Sequence, residues 1–222
     1  MKKYFLAAQS ILIKYRKIVK LILCLMYLAG FLGLQFSITK PIFLSLTAFN
    51  LWSSAILLLF FHENWSKKAV LYFAIIFLIA FFIEMVGVKT GIIFGNYSYG
   101  ETLGMKLLDV PLCIGANWLL LCYVFTYLSK NNLAIQNDYL IASLSSSLIT
   151  ALDFLIEPIA IKFDFWSWQN NQIPLQNYTS WFIIAFGINL LLLKQNLLIK
   201  NKIANILLLL QILFFVSQNI FQ

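Results

Sequence analysis

The stretch Ala69-Val-Leu-Tyr-Phe-Ala-Ile-Ile-Phe-Leu-Ile-Ala-Phe-Phe-Ile-Glu84-Met-Val-Gly-Val88 holds one charged side chain, Glu84, in an otherwise uncharged run. About 20 such residues let an α-helix cross the ~30 Å hydrocarbon core of a bilayer. The segment therefore reads as a transmembrane helix with a carboxyl group lodged in it. Comparable runs are Val19–Ser37, Ile42–Phe61, Val110–Leu128, Tyr139–Ile156, a short one at Thr179–Leu193, and Ile203–Ile220, which carries Gln211 and Gln218. The composition agrees, with 62% hydrophobic and 11% charged residues, where a soluble domain carries about a quarter charged. In lipid every backbone amide must be satisfied within its own segment, so the runs are helices. A membrane barrel would instead alternate over about ten residues. The expected fold is all-α: a polytopic transmembrane helix bundle of about seven helices. Residues 1–18 form a basic N-terminal segment, and 19–222 a single transmembrane domain with outer loops at 89–109 and 157–178.

The net charge of +8 sets orientation. Lys2, Lys3, Lys14, Arg16, Lys17 and Lys20 precede or open the first helix, and Lys67, Lys68, Lys130, Lys194, Lys200 and Lys202 fall in loops on the same side. The opposite side has Lys40, Lys89, Lys106 and Lys162, which makes 12 against 4. By the positive-inside rule the N-terminus is cytoplasmic and the C-terminus outside, in the inner membrane of the cell. The basic balance then serves orientation and anionic lipid, with no nucleic acid as partner. Residues 4–15 suit a basic amphipathic helix along the inner surface, and Lys14, Arg16 and Lys17 interrupt what a signal peptide would need. Cys24, Cys113 and Cys122 read as reduced packing residues, and His62 as an interfacial residue at a helix end.

Six of the eight acidic residues lie on the predicted outer side: Glu84, Glu101, Asp109, Asp153, Glu157 and Asp164. Glu84 and Asp153 fall inside helices, where a carboxylate costs on the order of 2 kcal/mol or more unless paired, hydrated or protonated. Such residues mark a site. The two outer loops share a layout of acidic helix end, aromatic stretch, then Pro-Leu and a new helix. In both, Trp stands seven residues after the proline: Pro111 to Trp118, and Pro174 to Trp181. The helices before these loops run in the same direction, which suggests a parallel internal repeat about an axis normal to the membrane. Interfacial belts also collect Tyr and Trp. However, Tyr97-x-Tyr99 and Trp166-x-Trp168 alternate, and in an extended segment i and i+2 share a face. They would form a wall of electron-rich rings suited to a hydrophobic substrate that passes through a cation.

Asp153 and Glu157 are four apart on one helical face, about 6 Å from each other. Two carboxyls that close in a dry site cannot both ionise comfortably, so one keeps its proton and can act as a general acid. Pro158 is expected to end the helix there. Ser143, Ser145, Ser146, Ser147 and Thr150 read as close-packing residues. No Walker loop, G-x-G-x-x-G, H-E-x-x-H, C-x-x-C or paired Asp-rich motif occurs, so no nucleotide, metal or redox cofactor is expected.

Two sets of residues resemble a known family, the bacterial and archaeal carotenoid 1,2-hydratases of membranes. The first is Glu84-x-x-Gly87-x-x-x-Gly91-x-x-Phe94-Gly95-x-Tyr97-x-Tyr99 with Val110-Pro111-Leu112. The second is Asp153-x-x-x-Glu157-Pro158, Trp166-x-Trp168, Ile173-Pro174-x-x-Asn177 and Trp181. Better-studied members are similar to gamma-carotene 1'-hydratases and bisanhydrobacterioruberin hydratases. The match covers about residues 84–181, with Glu157 standing where Asp is usual. The resemblance implies a cofactor-independent hydro-lyase that adds water to the terminal C1–C2 double bond of an acyclic carotenoid end. Its substrate would be dissolved in the membrane, with other carotenoid enzymes as partners. It implies Asp153 with Glu157 as the acid pair, and Glu84 or Asp109 as the base that positions water. Tyr97, Tyr99, Trp118, Trp166, Trp168, Asn177 and Trp181 would bind substrate. A cyclase would make the same cation but trap it with an internal double bond, and a carrier would only bind the pigment.

Overall fold

The computed structural model describes residues 2–63, 65–133, 135–198 and 200–221, with side chains from residue 8 onward. Among these residues the chain is an α-helical membrane protein with helices α1 (Lys2–Lys14), α2 (Arg16–Gln35), α3 (Lys40–Ser45), α4 (Thr47–Phe60), α5 (Lys67–Thr90), α6 (Cys113–Tyr127), α7 (Asp138–Lys162), α8 (Leu175–Lys194) and α9 (Ala204–Ile220). By length and apolarity α2, α5 and α7 suffice to cross a membrane, and α4 and α9 are shorter apolar helices. Each expected hydrophobic run corresponds to one helix, except that Ile42–Phe61 is broken into α3 and α4 at Leu46. Two hydroxyls fold back there: Ser45 Oγ donates to the Ile42 carbonyl at 2.7 Å and Thr47 Oγ1 to that of Phe43 at 3.4 Å. Such back-bonding competes with the helical ladder and bends it.

Helix ends follow local chemistry. The Ser66 hydroxyl accepts from the Ala69 amide at the start of α5, and Gly91 closes that helix at φ +66°. Asn137 accepts from the amides of Tyr139 and Leu140 to start α7. Pro174 sits just before α8, where a missing N–H does no harm. The second loop is shorter than expected, spanning 163–174, because α7 does not stop at Pro158 but runs on to Lys162. Proline removes one backbone bond. The last turn is nonetheless buried through Ile159 and Ala160, and closed by Phe163 N–H to the Ile159 carbonyl and Phe165 N–H to the Ala160 carbonyl.

Helix α6 packs against α4, α5, α7, α8 and α9, and nearly every one of its side chains is buried. A helix apolar all round belongs at the centre of a bundle. Its 15 residues span about 22 Å at 1.5 Å each, so its first turn begins inside the bundle, beneath the loops. Those loops hold two small antiparallel pairs: β1 (Tyr97–Tyr99) with β4 (Trp166–Trp168), and β2 (Lys106–Leu107) with β3 (Val110–Pro111). At the other end His62 pairs with Asn201 in an isolated bridge, and Gln9 of α1 donates to the carbonyls of Phe60 and His62. His62 stands just past the end of α4, as expected, but it is packed inside the protein. It is 1% exposed, bonded to Tyr123 Oη at 2.9 Å and ringed by Trp65 and Phe73. The three cysteines are free.

Candidate active site

The β1–β4 pair is the roof of the site. Its register places Tyr97 opposite Trp168, Ser98 opposite Ser167, and Tyr99 opposite Trp166. The pairing is continued by Gly100 N–H to the Phe165 carbonyl and Gln169 N–H to the Asn96 carbonyl. That pattern leaves the aromatic pairs at the non-hydrogen-bonded positions, where opposing side chains stand closest. Ring centroids are 5.1 Å apart for Tyr97–Trp168 and 6.1 Å for Tyr99–Trp166. Alternation puts all four rings on one face and both serines on the other, and the serines are indeed exposed. The strands come from the two loops that share a layout, and they meet about a local two-fold at Ser98–Ser167.

Each ring ends in a donor, and each strand serves the glutamate of the helix before it. Tyr97 and Tyr99 hydroxyls donate to Glu84 Oε2 at 2.5 and 2.7 Å. The indole N–H groups of Trp166 and Trp168 donate to Glu157 Oε2 at 3.0 and 2.8 Å. A donor from the next helix completes each set: Trp118 Nε1 to Glu84 Oε1 at 2.8 Å, and Asn177 Nδ2 to Glu157 Oε1 at 3.0 Å. Trp118 and Trp181 stack at 4.2 Å. Burial, then the Glu84 charge, push the Tyr97 and Tyr99 phenols well above their ordinary range, so both remain donors at any physiological pH.

Asp153 lies one turn before Glu157 and is fully buried. Its Oδ2 accepts the second proton of Asn177 Nδ2 at 3.0 Å, and its Oδ1 is a buried oxygen with no hydrogen-bond partner. One amide thus bridges the two carboxyls. Glu84, Glu157, Asn177, Trp118, Trp181 and the four lid rings border a common cavity of about 30 Å³, room for one or two waters. Asp153 stands behind Glu157, outside that lining.

Two glycines allow close approaches that shape the lid. At Gly87 a Cβ would lie 2.6 Å from the Phe94 ring, and Gly95, at φ +103°, would bring one within 2.5 Å of Pro174. The lid is tied down by Gln176 Nε2 and Ser180 Oγ donating to the Ile93 carbonyl, and by Lys106 Nζ reaching the Tyr99 carbonyl and Glu101, both at 2.8 Å.

One expected site residue is elsewhere. Asp109 is exposed and sits with Leu108 in the two-residue turn of the β2–β3 hairpin, at φ +68° and +52°. Positive φ at both central positions is what such a hairpin turn demands, and Asp tolerates it. Its role is local. Conversely, Asn117 of α6 lines the cavity without having been singled out, although a lone amide in an apolar helix is the same kind of signal as Glu84. Among the described residues no three of His, Cys, Asp and Glu gather in a way that could hold a metal ion.

A second, apolar cavity of about 240 Å³ lies beside the first, between α2, α3, α4, α6 and α9. The two share Ile114, Asn117 and Trp166 as lining. Among its lining residues, Leu46 and Phe49 at the α3–α4 break are 45% and 63% exposed.

Fold and site together define a polytopic helical membrane protein with buried carboxyl groups under an aromatic lid. Residues 42–221 match the model of the family described as carotenoid biosynthesis protein, and the chain belongs to that family. Over 124 residues it is 30% identical to a bisanhydrobacterioruberin hydratase of Haloarcula japonica, a match covering 53% of this chain and 42% of that protein. The aligned part is thus less than half the relative's length. No solved structure matches the chain.

Proposed function

We propose that the chain adds water to the terminal C1–C2 double bond of an acyclic carotenoid end, giving a tertiary alcohol without a cofactor. The observation that carries this reading is the junction of the two cavities. A large, mostly apolar space meets, at Asn117 and Trp166, a water-sized space walled by aromatic rings and carboxyl groups. The large cavity takes an end of a long polyene, the rest remaining in lipid.

The Asp153–Glu157 pair supplies the acid. Asp153 holds the proton on its unpartnered oxygen, and Glu157, the member facing the cavity, passes it to C2. The electron pair of the double bond forms the new C–H bond and leaves a tertiary cation at C1. Ring faces of Trp166, Trp168, Tyr97 and Tyr99 attract that charge. Water attacks C1, and Glu84, fixed as an acceptor by three donors, takes the extra proton and returns it through the cavity water. The bisanhydrobacterioruberin hydratase among the relatives supports the same reaction class. The test is co-expression with a lycopene or gamma-carotene pathway, followed by chromatography and mass spectrometry. The expected product gains the mass of one water. Conversion without that gain favours the cyclase, and unchanged pigment in the presence of folded protein ends both readings.

A further inference from the structure

Asn117 is a polar side chain placed where the two cavities meet, and its carboxamide makes no hydrogen bond to any described residue. It lies one turn beyond Ile114, the other α6 residue at the junction, and directly before Trp118, whose indole holds Glu84. The other polar side chains named at the site are occupied by their neighbours or can serve a ligand in one way only: the lid hydroxyls and indoles donate to carboxyls, Asn177 bridges two of them, Asp153 keeps one unpartnered oxygen, and Trp181 has only an N–H to give. Asn117 alone among them offers a free donor and a free acceptor. Being neutral, it would hold a water without forming an ion pair with the cation.

We propose that Asn117 is the water-positioning residue, seating the nucleophile against C1 at the threshold of the apolar cavity, and that it decides the fate of the cation. The inference rests on the hydration reading. With water seated, oxygen bonds to C1. Without it, the cation gives a proton from C2 back to the carboxylate and the double bond re-forms. In D2O that reversal leaves a mark. The acid adds deuterium to C2, and rotation about the C1–C2 bond of the cation brings the original hydrogen to the carboxylate. Its removal re-forms the double bond, and the recovered substrate carries the label.

The experiment uses the full chain, purified in detergent and given a lycopene-type substrate in D2O. Asn117→Leu should lose about 10²-fold in hydration, the scale of a misplaced reactant, while deuterium uptake into recovered substrate stays near the native rate. Asn117→Ala, which leaves room for an unguided water and keeps the fold if the larger side chain does not, should lose about tenfold with the same persistence of exchange. Hydration retained in both variants would overturn the proposal. So would loss of exchange together with hydration in a folded variant, because Asn117 would then support the acid and not the water. If the unaltered chain neither hydrates nor exchanges, it is the hydration reading that fails.

Discussion

Asp153 keeps one carboxyl oxygen without a partner, while Glu84 and Glu157 each accept three hydrogen bonds. A proton on Asp153 therefore displaces no existing bond, and this makes it the residue whose loss should matter most. Asp153→Asn keeps the shape but has no acid to give, and a general acid contributes 10²–10⁴-fold. Hydration should vanish from pigmented cells while the protein still purifies as a folded species. Trp168→Leu removes a ring face worth ~1–2 kcal/mol and a donor to Glu157 worth ~1 kcal/mol, so the slowing should reach about 10²-fold at most. A dispensable Asp153 beside an essential Trp168 would mean that the proton comes from elsewhere, Glu84 being the next candidate. At this scale much of the site was legible. Carboxyls in lipid-embedded helices are expensive enough to announce themselves, and alternating aromatics declare a shared face. Asp109 misled because charge in an exposed hairpin turn costs nothing. The residues of the large cavity escaped because an apolar side chain facing a ligand reads the same as one facing lipid.

Among elements, the lid is the most informative. Strand register, which pairs residues some 70 positions apart, is set by tertiary contact, and only its ingredients stood in the sequence. Gly95 is the test of its geometry. Gly95→Ala puts a Cβ at φ +103° against Pro174, a strain of about 1–3 kcal/mol. Proteolysis within 91–112 should quicken and activity fall while the helical content seen by circular dichroism is unchanged. Helix limits follow local chemistry where caps stand, as at Ser66 and Gly91, and depart from it where packing overrides a local signal. Pro158 was outvoted by the buried turn that follows it. The break at Leu46 has no proline or glycine to announce it.

The connector after α4 gives a pH dependence. Burial lowers the His62 pKa from 6.5 to about 4. Below pH 6.5 the unfolded chain takes up a proton that the folded chain refuses until about pH 4. Stability is thus whole above 6.5, falls as pH drops through that window, and levels off below it. Thermal melts of the detergent-solubilised protein should show this slope, and His62→Gln should flatten it. A His62→Gln profile with the native slope would place the titration elsewhere.

For the whole molecule, the lid joins loops 91–112 and 163–174, so both stand at one end of the bundle, and the His62–Asn201 bridge gathers other connections at the opposite end. From the 12-against-4 distribution of positive charge we propose, by the positive-inside rule, that the lid end faces the outer side. Single cysteines placed after Gly100 and after Asn170, in a background without Cys24, Cys113 and Cys122, should react with an impermeant reagent from outside intact cells. Labelling of either loop from the cytoplasm alone would reverse the orientation. Bundle and charge asymmetry were legible because the bilayer imposes length and sign on the chain. The position of the hydrocarbon cavity was not, since it depends on how α2, α4 and α9 lean around α6.

The chemistry itself is tested most directly by supplying the purified chain with a lycopene-type carotenoid in ¹⁸O-labelled water. The expected product is a tertiary alcohol carrying one labelled oxygen, formed by the unaltered chain and not by Asp153→Asn. A product that is converted but unlabelled, or equal labelling by both proteins, would contradict hydration by the buried carboxyl pair.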